Sequence, residues 1–299
     1  PSWVVVALGL VAGVTTPVLT GGFTGLIAPL VPAPFLRRAY GAEATSYNLA
    51  GVVGPAAAGA LSAAASPEVA VGATAAVSFL ALLAVLRVPM PTAAADPDRG
   101  SLVASVLTGL RLLVRVPELR AVTIATTLSF TGMGALPVVF PLLAEQVGQP
   151  AAAGGALFSA FALGALVGSA ALAARQTRTE PLRLAFWGIT GLALAFAAVA
   201  AAPTFLVALV LVALAGAMEG PTLASTLAVR AAHSPAALQT QVVTTAASLK
   251  FGGFAVGSVL AGLVVGAYGV RAGLLALAGM QVLGLVLGLL ARSPRRRAR

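Results

Sequence analysis

The stretch "SYNLAGVVGPAAAGAL" at residues 46–61 is apolar enough for a hydrocarbon core, yet Gly54-Pro55 stands in the middle of what should be one helix. Its surroundings decide how it is read. Apolar runs of about 20 residues with almost no charge recur on both sides, the length a helix needs to cross roughly 30 Å of hydrocarbon. In lipid every backbone polar group must be satisfied within the segment, so runs this long mean helices. The 299 residues are 59% hydrophobic and 9% charged, with a mean hydropathy of +1.01. Soluble domains carry roughly 25% charged residues. The fold class is all-α integral membrane.

Reading the apolar runs against Pro, Gly and charge gives about nine transmembrane helices, near 3–28, 44–65, 69–88, 121–144, 152–174, 184–202, 204–228, 239–267 and 272–291. The expected organisation is three spans in 1–88, a linker at 89–118, a six-helix bundle at 119–292 and a basic tail at 293–299. The linker carries Pro and charge, and a short amphipathic surface helix is expected near 101–115. The first residue is proline, the first segment has no secretory-signal pattern, and the chain reads as a piece of something longer.

The net charge of +10 has a topological cause. Arg37, Arg38, Arg87, Arg99, Arg111, Arg115, Arg120, Arg175, Arg178, Arg183, Arg230 and the closing "RSPRRRAR" all fall on one side if the spans alternate. Arg271 alone falls opposite, and Lys250 alone lies inside a span. By the positive-inside rule the rich side is cytoplasmic, so the C-terminus is expected inside a cell (plasma or inner) membrane, facing anionic lipid. Nucleic acid is not needed to explain the charge. Cysteine is absent and His233 is the single histidine, so thiolate and His-rich metal centres are excluded and no metal or cofactor is expected. Of the eight acidic residues only Asp96 and Asp98 form a close pair, in the linker, which argues against an enzyme.

The chain also repeats itself. The segment from Pro17, "PVLTGGFTGLIAPLVPAPFLRRAYGAEATSYNLAGVVGPAAAGAL", parallels the one from Pro221, "PTLASTLAVRAAHSPAALQTQVVTTAASLKFGGFAVGSVLAGLV". With a small gap Gly54 and Gly59 fall on Gly257 and Gly262, and Asn48 falls near Lys250. A separation of about 200 residues is the size of one six-helix transporter half.

On these residues the chain resembles the major facilitator superfamily. The stretch "LVPAPFLRRAYGAEATSYNLAGVVGPAAAG" looks like the family's loop between its fourth and fifth helices, running into the fifth. The resemblance implies helices four to twelve of a twelve-helix fold, without the first three. Drug–proton antiporters of this superfamily carry G-x8-G-x3-G-P-x2-G-G in the fifth helix. Here Gly41, Ala50, Gly54-Pro55, Ala58 and Gly59 stand at those positions, so two glycines are alanine and the Gly-Pro core is intact. The fourth-helix arginine of many proton-coupled members is absent from "LGLVAGVTTP", and "RQTRTEPLR" lacks the Asp and Gly of the family's signature loop.

The opening stretch now has a physical reading. Pro55 offers no N–H to the carbonyl of Gly51 and bends the helix, while Gly51 and Gly54 let a neighbour approach closely. Pro17, Pro137, Pro141 and Pro221 give other spans the same device. This is either a gating element between rocking halves or simple tight packing. Lys250 is mid-span in "AASLKFGGFAVG" and shares a face with Gly253, Gly257 and Ala261, so its ammonium should point into the protein. A lysine there costs roughly 2.5–3.5 kcal/mol on insertion scales. Glu219 in "GAMEGPTL" is the other embedded charge and a plausible partner. The two form a structural ion pair or a substrate or proton site. Thr123, Thr127, Phe130 and Gly134 make a stripe that lines the central cavity in the family; threonines bonding their own backbone are the alternative. Tyr47 and Asn48 are either substrate contacts or interhelical hydrogen-bonding groups.

The function this supports is secondary active transport by alternating access, with export of a small amphipathic or lipophilic compound and protons as a candidate coupling ion. An importer of a small metabolite and a truncated, non-transporting scaffold are the alternatives.

Overall fold

The computed structural model describes residues 30–32, 35, 46–47, 49–50, 53–54, 57–62, 64–87, 102–175, 179–235 and 238–292. Among these, regular structure is helical throughout. Helix α1 is Pro67–Val85, α2 Leu102–Arg115, α3 Pro117–Met133, α4 Leu136–Gln146, α5 Gly154–Arg175, α6 Pro181–Val199, α7 Phe205–His233 and α8 Gln239–Arg292, with a 3-10 turn at Ala151–Ala153. Pro67, Pro117 and Pro181 open their helices, where a missing N–H costs nothing. Ser66 and Thr204 cap α1 and α7 by accepting from Val69 N and Val207 N, each at 3.4 Å.

The span expected at 3–28 lies outside the described residues, and of that expected at 44–65 residues 46–47, 49–50, 53–54, 57–62 and 64–65 are described, helical as far as 64. Five described helices are long and apolar enough to cross a membrane, or six if the bent pair α3–α4 counts as one. Helix α8, 54 residues long, is two passes in one element. Gly269 at its middle has φ 81° and ψ 174°, so the helix turns there. Packing against α3 proves the turn. Gly253 faces Thr127 and Thr131, and Gly257 faces Thr131, so the limb 239–268 runs parallel to α3. Gly132 faces Leu277, Gly284 faces Ala125 and Gly288 faces Ala121, so the limb 270–292 runs antiparallel to it.

The span expected at 121–144 is broken. Pro137 has no N–H for the carbonyl of Met133, and the chain bends by 40° between α3 and α4. At the bend Val138 N donates to the Ala135 carbonyl, and the Gly134 carbonyl accepts instead from Ser258 Oγ at 2.6 Å, which ties the break to α8. Helix α7, by contrast, continues unbroken through Pro221.

Four small-xxx-small pairs set the helix contacts: Gly164/Gly168, Gly216/Gly220, Gly253/Gly257 and Gly284/Gly288. A Cβ at Gly164 would overlap the Ala213 carbonyl, one at Gly168 the Ala217 carbonyl, one at Gly216 the Phe161 carbonyl and one at Gly220 the Ala165 carbonyl. Helices α5 and α7 therefore run parallel with backbone against backbone. Gly188 meets Thr222, and Gly191 meets Met218, so α6 runs antiparallel to α7. These pairings make successive passes alternate in direction. A core of Phe140, Leu157, Leu192, Phe196, Val212 and Leu277 fills the half of the bundle around α4.

One end of the bundle gathers the described basic termini. Arg120 donates to the Ala291 carbonyl from Nε (3.0 Å) and Nη2 (2.5 Å), and to the Val114 carbonyl from Nη1 (2.9 Å). Arg292 pairs with Glu180 at 2.9 Å. Helix α2, at the place expected for the linker helix, lies at this end with Leu113 packed on Leu119, Val242 and Ala246. Arg271, two residues beyond the turn at Gly269, is at the opposite end.

Candidate functional site

Lys250 is buried at 8% exposure, as its shared face with Gly253 and Gly257 requires. Its Nζ stands 3.6 Å from the centroid of the Phe130 ring, and Phe251 meets Phe130 edge-on at 6.4 Å. A desolvated cation over an aromatic face gains about 2 kcal/mol, which offsets much of the insertion cost. Phe130 is thereby fixed beneath a charge rather than simply lining a wall.

Glu219 is equally buried, and its Oε2 has no hydrogen-bond partner. It stands in the field of Lys250 without touching it. Among the described residues the direct ion pair is Arg292–Glu180 at the surface, so the expected Glu219–Lys250 pair is a separated one. The azimuth of Glu219 is set by its neighbours: Gly216 and Gly220 bind α7 to α5 and turn the carboxylate to the adjoining face.

Thr123 and Thr127 sit on the same face of α3 as Phe130. Their hydroxyls are buried and have no partner, whereas Thr126 and Thr131 donate to the carbonyls of Val122 (2.7 Å) and Thr127 (2.9 Å). The backbone-bonding alternative thus describes Thr126 and Thr131, and Thr123 and Thr127 are left open. Together with Ile124, Leu128 and Leu249 they line a pocket of about 300 Å³. Gly134, the last member of that stripe, is packed on Phe254 and Ser258 instead.

The other expected positions lie elsewhere. Tyr47 is helical and 46% exposed. No atom among the described residues comes within 4 Å of where a Cβ would stand at Gly54. Asn48, Gly51, Pro55 and Pro17 lie outside the described residues. His233 holds the Val229 carbonyl through Nδ1 at 2.9 Å.

Two features escaped the sequence reading. Gln281 is fully buried and exchanges two hydrogen bonds with Ser129: Ser129 Oγ donates to Oε1 at 2.5 Å, and Nε2 donates to the Ser129 carbonyl at 3.0 Å. A glutamine in the middle of "LLALAGMQVLGLVLG" was the available signal. Arg230 is the second. It is 3% exposed, and its Nε and Nη2 have no partner. Counted with the topological arginines, it is in fact an interior cation.

The profile of the family described as transmembrane secretion effector matches residues 1–299. Among curated proteins, an uncharacterized MFS-type transporter, y4rN, of Sinorhizobium fredii is 28% identical over 265 residues, covering 88% of this chain and 65% of the relative. The chain thus spans about two thirds of that relative's length, a little less by the count. Among solved structures, a bacterial homolog of the human lysosomal transporter Spinster, in an inward-facing and unoccupied conformation, matches with a TM-score of 0.61 at 14% identity. That match covers 90% of this chain and 73% of the other. The chain belongs to the transmembrane secretion effector family of major facilitator transporters.

Proposed function

We propose that this chain carries the charged half of the substrate pathway of a secondary active transporter, which exports a small amphipathic or lipophilic compound by alternating access. The observation that carries the reading is the separated pair at mid-span: Glu219 with an open carboxylate oxygen, and Lys250 held over Phe130. A structural ion pair would close, because contact is the cheapest way to satisfy two buried charges. Charges held apart beside an open pocket are instead available to a cargo, a proton or each other as the halves rock.

Ile124, Leu128 and Leu249 supply an apolar wall to the cargo, with the unpartnered hydroxyls of Thr123 and Thr127 buried behind it. The parallel α3–α8 and α5–α7 pairs are stiff units. The lining of the pocket, Thr123, Ile124, Thr127 and Leu128 with Leu249, belongs to the α3–α8 pair. In the cell this site lies in the plasma or inner membrane, with the basic end of the bundle and the C-terminus cytoplasmic.

The test is substrate accumulation in inside-out and right-side-out vesicles carrying the full-length protein, with Glu219→Gln beside it at equal membrane abundance. Uptake into inside-out vesicles that Glu219→Gln abolishes is the expected result. Uptake only into right-side-out vesicles makes the protein an importer. Transport indifferent to Glu219→Gln removes the site, and no transport in either orientation leaves the scaffold reading.

A further inference from the structure

The buried charges of the described bundle do not balance. Arg230 and Lys250 are two cations against the one carboxylate of Glu219. All three are at least nine-tenths buried, and Lys250 stands in the field of both others.

Their heights explain this. At about 1.5 Å per residue, Arg230 lies about 5 Å in from the end of α7 and Glu219 about 21 Å in. Glu219 and Arg230 are thus about 16 Å apart along α7, and Lys250 on α8 stands in the field of both. Ser225 on α7 and Thr123 and Thr127 on α3 carry buried, unpartnered hydroxyls. By the same count Thr123 and Thr127 lie about 9 Å and 15 Å along α3.

Arg230 is the informative group. A guanidinium cannot shed its charge, so unlike lysine or glutamate it has no neutral form in which to wait. Two of its nitrogens are buried with nothing to donate to. The unpartnered hydroxyls of Thr123 and Thr127 are buried in the wall of the apolar pocket that these threonines share with Ile124, Leu128 and Leu249. A cationic fork, hydroxyl donors and an apolar wall fit one kind of molecule.

We propose that the site takes an amphipathic monoanion, with a carboxylate-type headgroup between Arg230 and Lys250 and its apolar body against Ile124, Leu128 and Leu249. The inference rests on the transport reading above and narrows its cargo. One negative charge brings the buried set to neutrality, and a carboxylate accepts from two guanidinium nitrogens at once. Glu219, deeper in, then excludes a second anion and sets the stoichiometry at one.

The experiment is equilibrium binding to the full-length protein in zwitterionic nanodiscs, using three probes of equal size: 4-butylbenzoate, 4-butylbenzyl alcohol and 4-butylbenzylamine. The benzoate should bind at least about tenfold tighter than the alcohol, and the amine weakest, as charge-assisted hydrogen bonds exceed neutral ones. Arg230→Gln should bring the benzoate down to the affinity of the alcohol. Arg230→Lys, which keeps the charge and loses the fork, should fall between. The wild-type rank order decides the matter even if a variant fails to fold. Equal binding of all three, or preference for the amine, overturns the anion site and leaves the transport reading standing, as does benzoate preference that survives Arg230→Gln. Binding of none overturns both.

Discussion

Replacing Lys250 by methionine separates a structural lysine from a working one. The ammonium costs roughly 2.5–3.5 kcal/mol to place at the centre of a membrane helix. Its position 3.6 Å above the Phe130 ring returns about 2 kcal/mol. Glu219 adds an attraction, but without contact, and Arg230 adds a repulsion. The lysine is therefore left roughly 1 kcal/mol worse off than an apolar side chain of its own length. Methionine keeps that length and keeps the contact with Phe130 through a sulfur. Lys250→Met should leave thermal unfolding in detergent unchanged or raise its midpoint by about 2 °C, while transport falls to background. In the double variant with Glu219→Gln the stability changes should couple by about 1 kcal/mol or less, as expected for charges not in contact. A midpoint lowered by about 5 °C or more would mean that the lysine holds the bundle together. Full transport with a stable Lys250→Met protein would refute the functional argument altogether.

Gly216→Leu should abolish folded protein in detergent chromatography, because its Cβ would overlap the Phe161 carbonyl. Gly262→Ala, with nothing within 4 Å, should elute as wild type. Gln281→Leu removes both bonds to Ser129 and should cost about 1–2 kcal/mol, read as a lowered unfolding midpoint, since interhelical hydrogen bonds in membranes average about 0.6 kcal/mol. Glu180→Gln breaks an ion pair whose members are 44% and 41% exposed, and should move that midpoint by no more than a degree or so. The chain has no cysteine, so single cysteines at Gln149 and Ala232, both exposed, should label from opposite faces of sealed vesicles. Labelling from the same face would disprove the alternation of passes.

Much of this protein is written one residue at a time. The cost of exposing a peptide group to lipid acts on every residue alike, so the apolar runs alone make the chain helical, and the places of the arginines alone mark one end of the bundle. The interior position of Lys250 was legible too, because Gly253 and Gly257 define the packed face of a helix whose period is fixed. Even the break near Gly134 follows from a local fact, the missing N–H of Pro137.

What sequence could not supply is which face meets which. Small-xxx-small pairs recur along the chain, and any of them fits any other sterically, so only the tertiary structure matches Gly164/Gly168 with Gly216/Gly220 and thereby sets the azimuth of Glu219. The distance between Glu219 and Lys250 is of the same kind: it depends on the relative rotation and height of two helices, and a pair that spacing makes plausible is held apart. Arg230 shows the limit most plainly. In sequence it is one arginine among those of the basic end. Its burial, with two nitrogens unanswered, comes from helices elsewhere in the chain closing around the end of α7, because a side chain's solvent is decided by its neighbours and not by its own position.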